Sequence, residues 1–276
     1  MIKTEEIKSL VKSVKVMEYS GHIRNWQTLC QALNISQSLE RTAREEAILI
    51  AAYKAWGHQM ADYLHGMFAF ALYDENEKEL FCLRDHFGTK PFYYYMTKDN
   101  RLLYGTQIRD IMAQKGFEKE LNQDLLQIYL SLTYVPGTDT FFKGVKKLLP
   151  GHYLTFKEGK IQIVRYWKPE FKPDRQPSLE DYANEIHETL KEIMPETKAE
   201  DETVESFLSG GVDSSYVLAM SQAQVSNSCG YDEARFDESG LAKQTADLLG
   251  KENRRCRITP EQYFDIVPYV MYNMEQ

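Results

Sequence analysis

The chain has 276 residues with 33 basic and 41 acidic side chains, and its formal net charge of −8 argues against a nucleic acid as the main partner. Its length allows one large or two ordinary domains, each with a core of its own. Its start shows no signal-peptide pattern, and its longest apolar stretches are too short to cross a membrane. The scattered cysteines predict buried thiols of a cytoplasmic protein rather than a zinc site; they are Cys30, Cys82, Cys229 and Cys256.

Short strands and a few helices are predicted for the first part of the chain. Residues 14–17 alternate as a strand does, and residues 44–56 carry apolar side chains at helical spacing before Gly57. Turn clusters separate several of the later strands, which predicts antiparallel hairpins. The other predicted helices cover 26–33 and 123–132, and the other strands cover 67–73, 78–83, 92–96, 101–104, 152–156 and 160–166.

Strands and helices alternate in the last part of the chain. Residues 168–177 are rich in proline and charge and predict a linker. Ser178 is a good N-cap for a helix over 179–194. The alternation that follows predicts a parallel, doubly wound sheet whose ligands bind beyond the carboxyl ends of its strands. The strands are predicted at 204–208, 225–229 and 255–258, and the helices at 216–220, at 237–249 and from Pro260 onward.

The stretch Ser209-Gly210-Gly211-Val212-Asp213-Ser214-Ser215 connects the first of these strands to its helix. The glycines let the backbone approach a ligand, and the first N–H groups of the helix point, with the serine hydroxyls, at whatever occupies the turn. The Asp213 carboxylate would repel a phosphate group of the same charge unless a divalent cation lies between the carboxylate and the phosphate. Mg²⁺ fits this place, because it prefers one or two carboxylates plus phosphate oxygens. The alternative is a Ser/Gly turn without a ligand.

The string Ser-Gly-Gly-Val-Asp-Ser resembles the pyrophosphate loop of ATP pyrophosphatases, which include asparagine, GMP and NAD synthetases. It is not the mononucleotide loop, because no lysine follows the glycines. Taken alone, Arg84, Asp85 and Lys90 predict a salt-bridged turn. Four strings resemble the glutaminase half of asparagine synthetases, but GMP and NAD synthetases do not carry them: LHGMFAFA at 64–71, RDHFGTKPFYY at 84–94, YVPG at 134–137 and LPGHYL at 149–154. The chain is therefore identified as a member of the asparagine synthetase family.

The resemblance implies a chain that is α/β and α+β. A partial Ntn-type glutaminase-like αββα sandwich is expected over 1–167, a linker over 168–177, and the first part of a doubly wound parallel-sheet ATP-pyrophosphatase domain over 178–276. The family reaction makes asparagine from aspartate, ATP and an ammonia donor through β-aspartyl-AMP. The expected partners are these small molecules, with ammonia or glutamine as donor, and neither nucleic acid nor a membrane. A homodimer is kept open.

The resemblance also implies a role for each residue of the loop. The pyrophosphate part of ATP would be held by Ser209, Gly210, Gly211, Ser214 and Ser215. Asp213 would bind its Mg²⁺, and the backbone at Leu208 and around Cys229 would contact the adenosine.

Departures from the family pattern lie in the first part of the chain. Glutamine-hydrolysing members use an N-terminal Cys as nucleophile, whereas position 2 here is Ile2. The Asn-Gly-Glu oxyanion motif corresponds to Ser20-Gly21-His22, and the Asp that binds the glutamine amine falls near Glu45. We therefore expect a degenerate glutamine site at Ser20, Gly21 and Glu45 with no catalytic residue, in a domain that is incomplete at its N-terminus. Its sheet would have an open edge unless residues 1–13, which have a helical pattern, cover it.

Two other functions are consistent with the same residues. A β-lactam synthetase relative shares the fold and often lacks the Cys, and tests with other carboxylate substrates would distinguish it. A non-catalytic nucleotide-binding fragment or partner protein would bind ATP without turnover. Family members continue beyond Gln276 with an acidic segment that contacts nucleotide, metal and aspartate, so weak or absent asparagine formation is expected.

Overall fold

The computed structural model describes residues 13–173, 176–194 and 203–274. The chain divides into two compact units, the first reaching Glu170 and the second running from Phe171 to Met274. The domain limits expected from the resemblance, 1–167 and 178–276, remain a prediction. None of the described helices combines the length and the apolar character that a membrane span requires.

Two antiparallel sheets form the first unit. One has the strand order β1-β2-β3-β7-β8 and the other the order β5-β4-β6, with β1 (Val14–Ile23), β2 (Gly66–Asp74), β3 (Glu79–Arg84), β4 (Tyr93–Met96), β5 (Leu102–Gly105), β6 (Val145–Lys147), β7 (His152–Lys157) and β8 (Lys160–Arg165). The predicted hairpins are confirmed to within one residue at each strand end. β6 was not predicted, because three residues carry too little pattern to identify a strand.

Helices flank these sheets. They are α1 (Trp26–Ala32), α2 (Arg41–Trp56), α3 (Ile108–Met112) and α4 (Leu126–Leu132), with 3₁₀ turns at Gly57–Asp62 and Gln123–Leu125. Helix α2 begins three residues before its predicted start because the Glu40 side chain accepts a hydrogen bond from Thr42 N. It ends where Gly57 takes a φ of +57°.

Alternate side chains of β2 fill two cores on opposite faces of the five-stranded sheet. Phe68 and Phe70 lie in one cluster with Ile48 of α2. Ala69 lies in the other cluster with Tyr94 of β4. A third cluster joins the outer face of the smaller sheet to α3. The layers of the first unit are therefore helix, sheet, sheet and helix, a mixed α/β arrangement built on antiparallel sheets.

The strand β1 extends six residues beyond its predicted end and includes Ser20, Gly21 and His22. Glycine in a strand weakens the sequence signal, but here it is required. A Cβ on Gly21, whose φ is +132°, would lie 2.0 Å from Met67 O, and a Cβ on Gly66 would lie 2.2 Å from His22 O. Among the described strands β1 forms one edge of its sheet. The predicted cover by residues 1–13 falls, apart from Ser13, outside the described residues.

The turn after β3 is held by backbone contacts. The buried Asp85 carboxylate accepts hydrogen bonds from the N–H groups of Phe68, Phe87, Thr89 and Lys90. The Arg84 guanidinium donates to three carbonyl oxygens, those of Gly88, Lys90 and Leu148. The predicted salt-bridged turn is therefore wrong: the side chains of Arg84 and Asp85 bind peptide groups of the turn and of neighbouring segments instead.

The second unit contains a parallel sheet of three described strands, with the order β11-β10-β9. These strands follow one another in chain order without a reversal, so the doubly wound arrangement remains a prediction. The elements are α5 (Leu179–Ile193), β9 (Glu205–Phe207), α6 (Val212–Met220), β10 (Val225–Tyr231), α7 (Ser239–Leu248), β11 (Glu252–Ile258) and α8 (Pro260–Asn273).

The helices α6 and α7 share a small core beneath one face of this sheet. It contains Leu208 and Leu218, and alanines of α7 complete it. Side chains on the opposite face are open, and Phe207 is 86% exposed there. Cys229 and Cys256 lie in register on this open face, so the prediction of buried thiols is correct for Cys30 and Cys82 but wrong for this pair.

Candidate functional site

The loop between β9 and α6 begins from a fixed strand end. Leu208 is buried, its N–H donates to Asn227 O at 2.9 Å, and its carbonyl oxygen accepts from Ser228 Oγ at 2.7 Å. The chain then turns at Gly210, whose φ is +90°. The loop therefore lies at the carboxyl end of β9, where parallel α/β sheets bind ligands.

The helix after the loop begins earlier than predicted. α6 starts at Val212 rather than Tyr216, so Asp213, Ser214 and Ser215 form its first turn. Gly211 is the N-cap, and no side chain of the described residues caps it. The first N–H groups of α6 have no intrahelical acceptor and carry the positive end of the helix dipole. This exposed helix start is suited to an anion.

The three serines hold the loop in its present shape. Ser209 Oγ and Ser214 Oγ lie 2.9 Å apart, and Gly211 N donates to Ser209 Oγ at 3.3 Å. Ser215 Oγ donates to Gly211 O at 2.7 Å. The sequence indicated these hydroxyls as ligand donors; their mutual hydrogen bonds, which no sequence pattern reveals, also make them the frame of the loop.

The Asp213 carboxylate is exposed in the first turn of α6. Within the described residues it has no hydrogen bond or ion pair, so its oxygens are available to a hard cation. No group of three or more His, Cys, Asp or Glu side chains that could hold a metal occurs in the part of the chain the structure describes. A cation at this place would thus take one protein carboxylate and the rest of its ligands from phosphate and water, which is the ordinary set for Mg²⁺.

Cys229 lies two residues beyond Asn227, the residue of β10 that pairs with the last residue of β9. Its backbone is therefore close in register to the start of the loop, as its predicted contact with adenosine requires. The thiol points to the open face of the sheet, because Ser228 and Gly230 on either side of it are buried on the other face.

The predicted glutamine site contains a closed network around Glu45, which is 2% exposed. Its carboxylate accepts from Tyr19 OH at 2.8 Å and from Ile23 N at 3.1 Å, and lies 2.7 Å from His22 Nδ1. Burial raises the pKa of Glu45, but the hydrogen bonds from His22, Tyr19 and Ile23 outweigh it and hold that pKa below its usual value. Ser20 and Gly21 flank this network on β1.

Two cysteines of the first unit, Cys30 and Cys82, are buried. Burial raises the pKa of each thiol, most strongly for Cys82. Burial therefore disfavours the thiolate, which is the nucleophilic form of a cysteine. Tyr19 and His22 contact the Glu45 carboxylate, although neither was named among the predicted site residues. One signal could have indicated such partners: Glu45 lies near the start of a predicted helix, and a carboxylate that is buried there requires hydrogen-bond donors.

Comparisons with known proteins agree over the two parts of the chain. A family model described as a glutamine amidotransferase domain matches residues 9–167, and one described as asparagine synthase matches residues 185–276. Asparagine synthetase [glutamine-hydrolyzing] 1 of Bacillus subtilis (strain 168) is 30% identical over 262 residues, which cover 93% of this chain and 41% of that protein. Amidase chry2 of Gibberella zeae is 34% identical over 238 residues, covering 78% of this chain and 35% of that protein.

A solved structure of glutamine phosphoribosylpyrophosphate (PRPP) amidotransferase from B. subtilis, complexed with ADP and GMP, has a TM-score of 0.38 at 15% identity. It covers 88% of this chain and 46% of that chain, and no conclusion is based on a likeness of that size. The chain spans half or less of the length of the curated relatives it matches. On the two family models and these relatives, the chain belongs to the asparagine synthetase family.

Proposed function

We propose that this chain binds Mg²⁺-ATP at the loop Ser209–Ser215 and takes part in an asparagine synthetase-type ligase reaction. The observation that carries the proposal is the uncapped start of α6 at Gly211, next to the turn at Gly210 and ringed by serine hydroxyls. A helix start of this kind carries roughly half a positive charge and free N–H donors. It is matched to the negative charge of a pyrophosphate group.

Each residue has a defined part in the proposed site. The backbone of Gly210 and Gly211 and the hydroxyls of Ser209, Ser214 and Ser215 hold the two outer phosphates of ATP. The backbone at Leu208 and Cys229 contacts the adenosine. The Asp213 carboxylate holds Mg²⁺, which neutralises phosphate charge when it is bound.

The proposed reaction has two steps. A β-carboxylate oxygen of aspartate attacks the α-phosphorus of ATP, the bond to the bridging oxygen breaks, and pyrophosphate leaves with that electron pair. Ammonia then attacks the carbonyl carbon of β-aspartyl-AMP, and AMP leaves to give asparagine. The loop assists the first step, because its N–H groups and hydroxyls face the charge that develops on the leaving pyrophosphate.

We infer that the first unit does not hydrolyse glutamine. The network around Glu45 supports this, because its carboxylate is buried and already accepts hydrogen bonds from Tyr19 and Ile23 N and lies 2.7 Å from His22 Nδ1, so burial and these partners oppose binding of the ammonium group of glutamine. The burial of the Cys30 and Cys82 thiols, which raises the pKa of each, supports it as well. Free ammonia is therefore the nitrogen donor that this chain would use.

A second candidate is nucleotide binding without turnover. The lone carboxylate at the loop favours it, because Asp213 by itself does not bind both Mg²⁺ and an acceptor substrate. A β-lactam synthetase-type reaction would use the same ATP site with another carboxylate in place of aspartate.

One set of assays on the full chain separates these functions. Pyrophosphate release that needs both ATP and aspartate, and that yields asparagine with ammonium, supports the ligase. Release with a different carboxylate supports the β-lactam synthetase-type reaction, and a rise in melting temperature with Mg²⁺-ATP but no turnover supports the binding protein. Glutamate release from glutamine by the purified chain would contradict the inactive first unit.

A further inference from the structure

The segment between β10 and α7 contains a clamp formed by Asp237, Ser239 and Gly230. Asp237 Oδ1 accepts a hydrogen bond from Ser239 N at 3.0 Å. A Cβ built on Gly230 would lie 2.9 Å from Asp237 Oδ1 and 2.9 Å from Ser239 Oγ. Ser239 is buried, and Gly230 is buried near the end of β10. The glycine therefore makes the room in which the carboxylate meets the start of α7.

The carboxylate serves as an acceptor at a helix start. Hydrogen bonds from Ser239 are the largest cause that lowers the pKa of Asp237, and Arg257 and the backbone of Tyr231 act in the same direction. The residue before it ends a 3₁₀ turn, and α7 begins only at Ser239. Asp237, the residue before the N-cap Glu238, thus binds the first N–H group of α7 and fixes the point at which the chain enters the helix.

The first residues of α7 also contact the loop Ser209–Ser215, which is called the pyrophosphate loop below. A Cβ on Gly210 would lie 3.0 Å from Leu241 Cβ and 3.1 Å from both Ala242 N and Glu238 O. The backbone of the loop therefore lies directly against the backbone of α7. At these distances the position of the loop backbone depends on the position of the start of α7.

We propose that Asp237 is a positioning residue for the pyrophosphate loop, acting through the start of α7 on Gly210 and not by contact with nucleotide or metal. The inference rests on the proposed function, since it gives the loop a ligand to bind. In this proposal Asp237 positions the loop and does not bind the ligand. Asp213 differs from it, because within the described residues its carboxylate has no hydrogen-bond partner and is proposed to bind Mg²⁺.

The test compares Asp237→Ala, Asp237→Asn and Gly230→Ala in the full chain. The Asp237→Asn side chain keeps an oxygen acceptor but loses the charge, and Asp237→Ala loses both. The methyl of Gly230→Ala would push against Asp237 Oδ1 and Ser239 Oγ. Loss of one hydrogen bond worth about 1 kcal/mol corresponds to about a fivefold effect on an equilibrium. We expect Asp237→Ala and Gly230→Ala to weaken Mg²⁺-pyrophosphate binding by about fivefold, and Asp237→Asn to bind as the wild type does. Gly240→Ala, a change within α7 with no atom within 4 Å of the new methyl, is the control and should bind normally.

Hydrogen exchange of the amides at 209–213 in the ligand-free chain provides the second readout. Asp237→Ala should speed their exchange about fivefold while the exchange of the β1–β2 amides stays constant. Asn as damaging as Ala would show that the charge itself binds a ligand, and unchanged loop exchange in Asp237→Ala would show that the clamp does not reach the loop; either result overturns the inference. If the wild type binds no pyrophosphate, the proposed function fails, and the exchange measurement still decides the role of Asp237.

Discussion

Replacing Gly211 with alanine separates a loop built for a ligand from a simple turn. Gly211 has a φ of −74° and a ψ of 165°, which alanine adopts freely. The new methyl would meet only Ser209 Oγ, at 3.4 Å, an ordinary contact. Alanine is a poorer N-cap than glycine, but it also restricts the unfolded chain by about 0.4–1 kcal/mol. These two effects oppose each other, so the free energy of unfolding should stay within about 0.5 kcal/mol of the wild type.

The methyl of Gly211→Ala should, however, weaken binding of a phosphate group to the backbone N–H groups at the start of α6. It would stand between the start of α6 and the anion and cost at least one charge-assisted hydrogen bond, worth about 1.5–3 kcal/mol. That loss corresponds to a Kd for Mg²⁺-pyrophosphate that is about 10-fold to 150-fold higher. Gly211→Ala should therefore be a stable protein that binds poorly.

Gly210→Ala is the matched contrast. Its φ of +90° is strained for alanine, and its methyl would lie 3.0–3.1 Å from three atoms of α7 and its N-cap. Left-handed strain of about 1–2 kcal/mol and overpacking of about 1–3 kcal/mol should lower the free energy of unfolding measurably. Urea denaturation and titration calorimetry on the same preparations give both quantities. Wild-type affinity in a folded Gly211→Ala protein would refute a phosphate site that uses this backbone.

Three further predictions concern the first unit. Glu45 has a lowered pKa in the folded chain, so its contribution to stability is present above its ordinary pKa of 4.5 and is lost as the pH falls through the lower folded value. Glu45→Gln should therefore flatten the pH dependence of urea denaturation below pH 4.5, and Glu46→Gln, a change at an exposed residue, should leave it unchanged. Equal pH dependence in the wild type and both variants would contradict the network around Glu45. Gly21→Ala should lower the free energy of unfolding more than Gly57→Ala does, because its methyl would collide with Met67 O at 2.0 Å and add at least about 2 kcal/mol of overpacking to the backbone strain. Gly57 has a φ of +57° and a ψ of −138°, and no described atom lies within 4 Å of the new methyl, so Gly57→Ala should cost only backbone strain of about 1–3 kcal/mol; similar losses in the two variants would show that the strands adjust. Asp85→Ala should cost at least about 3 kcal/mol in the same assay because it leaves four backbone donors unpaired, and a loss below about 1 kcal/mol would show that water replaces the carboxylate.

Local sequence patterns predicted most helices and strands. The predicted limits were wrong where contacts between residues that are distant in the sequence determine the structure. Alternation and turn residues located the hairpins around β2 and β3. The predicted strand ended at residue 17, and only the close approach of Gly21 to Met67 O explains why β1 continues through the glycine. The four-residue error at the start of α6 has a similar cause. The hydroxyls of Ser214 and Ser215 bind Ser209 and Gly211 of the turn, and sequence propensity does not reveal that Ser214 and Ser215 belong to the helix.

The site residues divide in the same way. The Ser-Gly-Gly-Val-Asp-Ser string predicted the loop because it resembles the loop of a known family and because its glycines and serines are residue types suited to an anion at a helix start. Glu45 was identified by its place in the family pattern, but its partners Tyr19 and His22 come from a strand that lies more than 20 residues earlier in the sequence. The contact of α7 with Gly210 depends on packing between the loop and a helix about 30 residues later, and no local sequence pattern predicts it.

Titration calorimetry of the full chain with pyrophosphate, with and without Mg²⁺, measures whether the loop Ser209–Ser215 binds pyrophosphate through the metal. We expect heat of binding that depends on Mg²⁺ and that is strongly reduced in Asp213→Asn, a change at an exposed side chain. No heat in either condition, or the same affinity in Asp213→Asn, would contradict it.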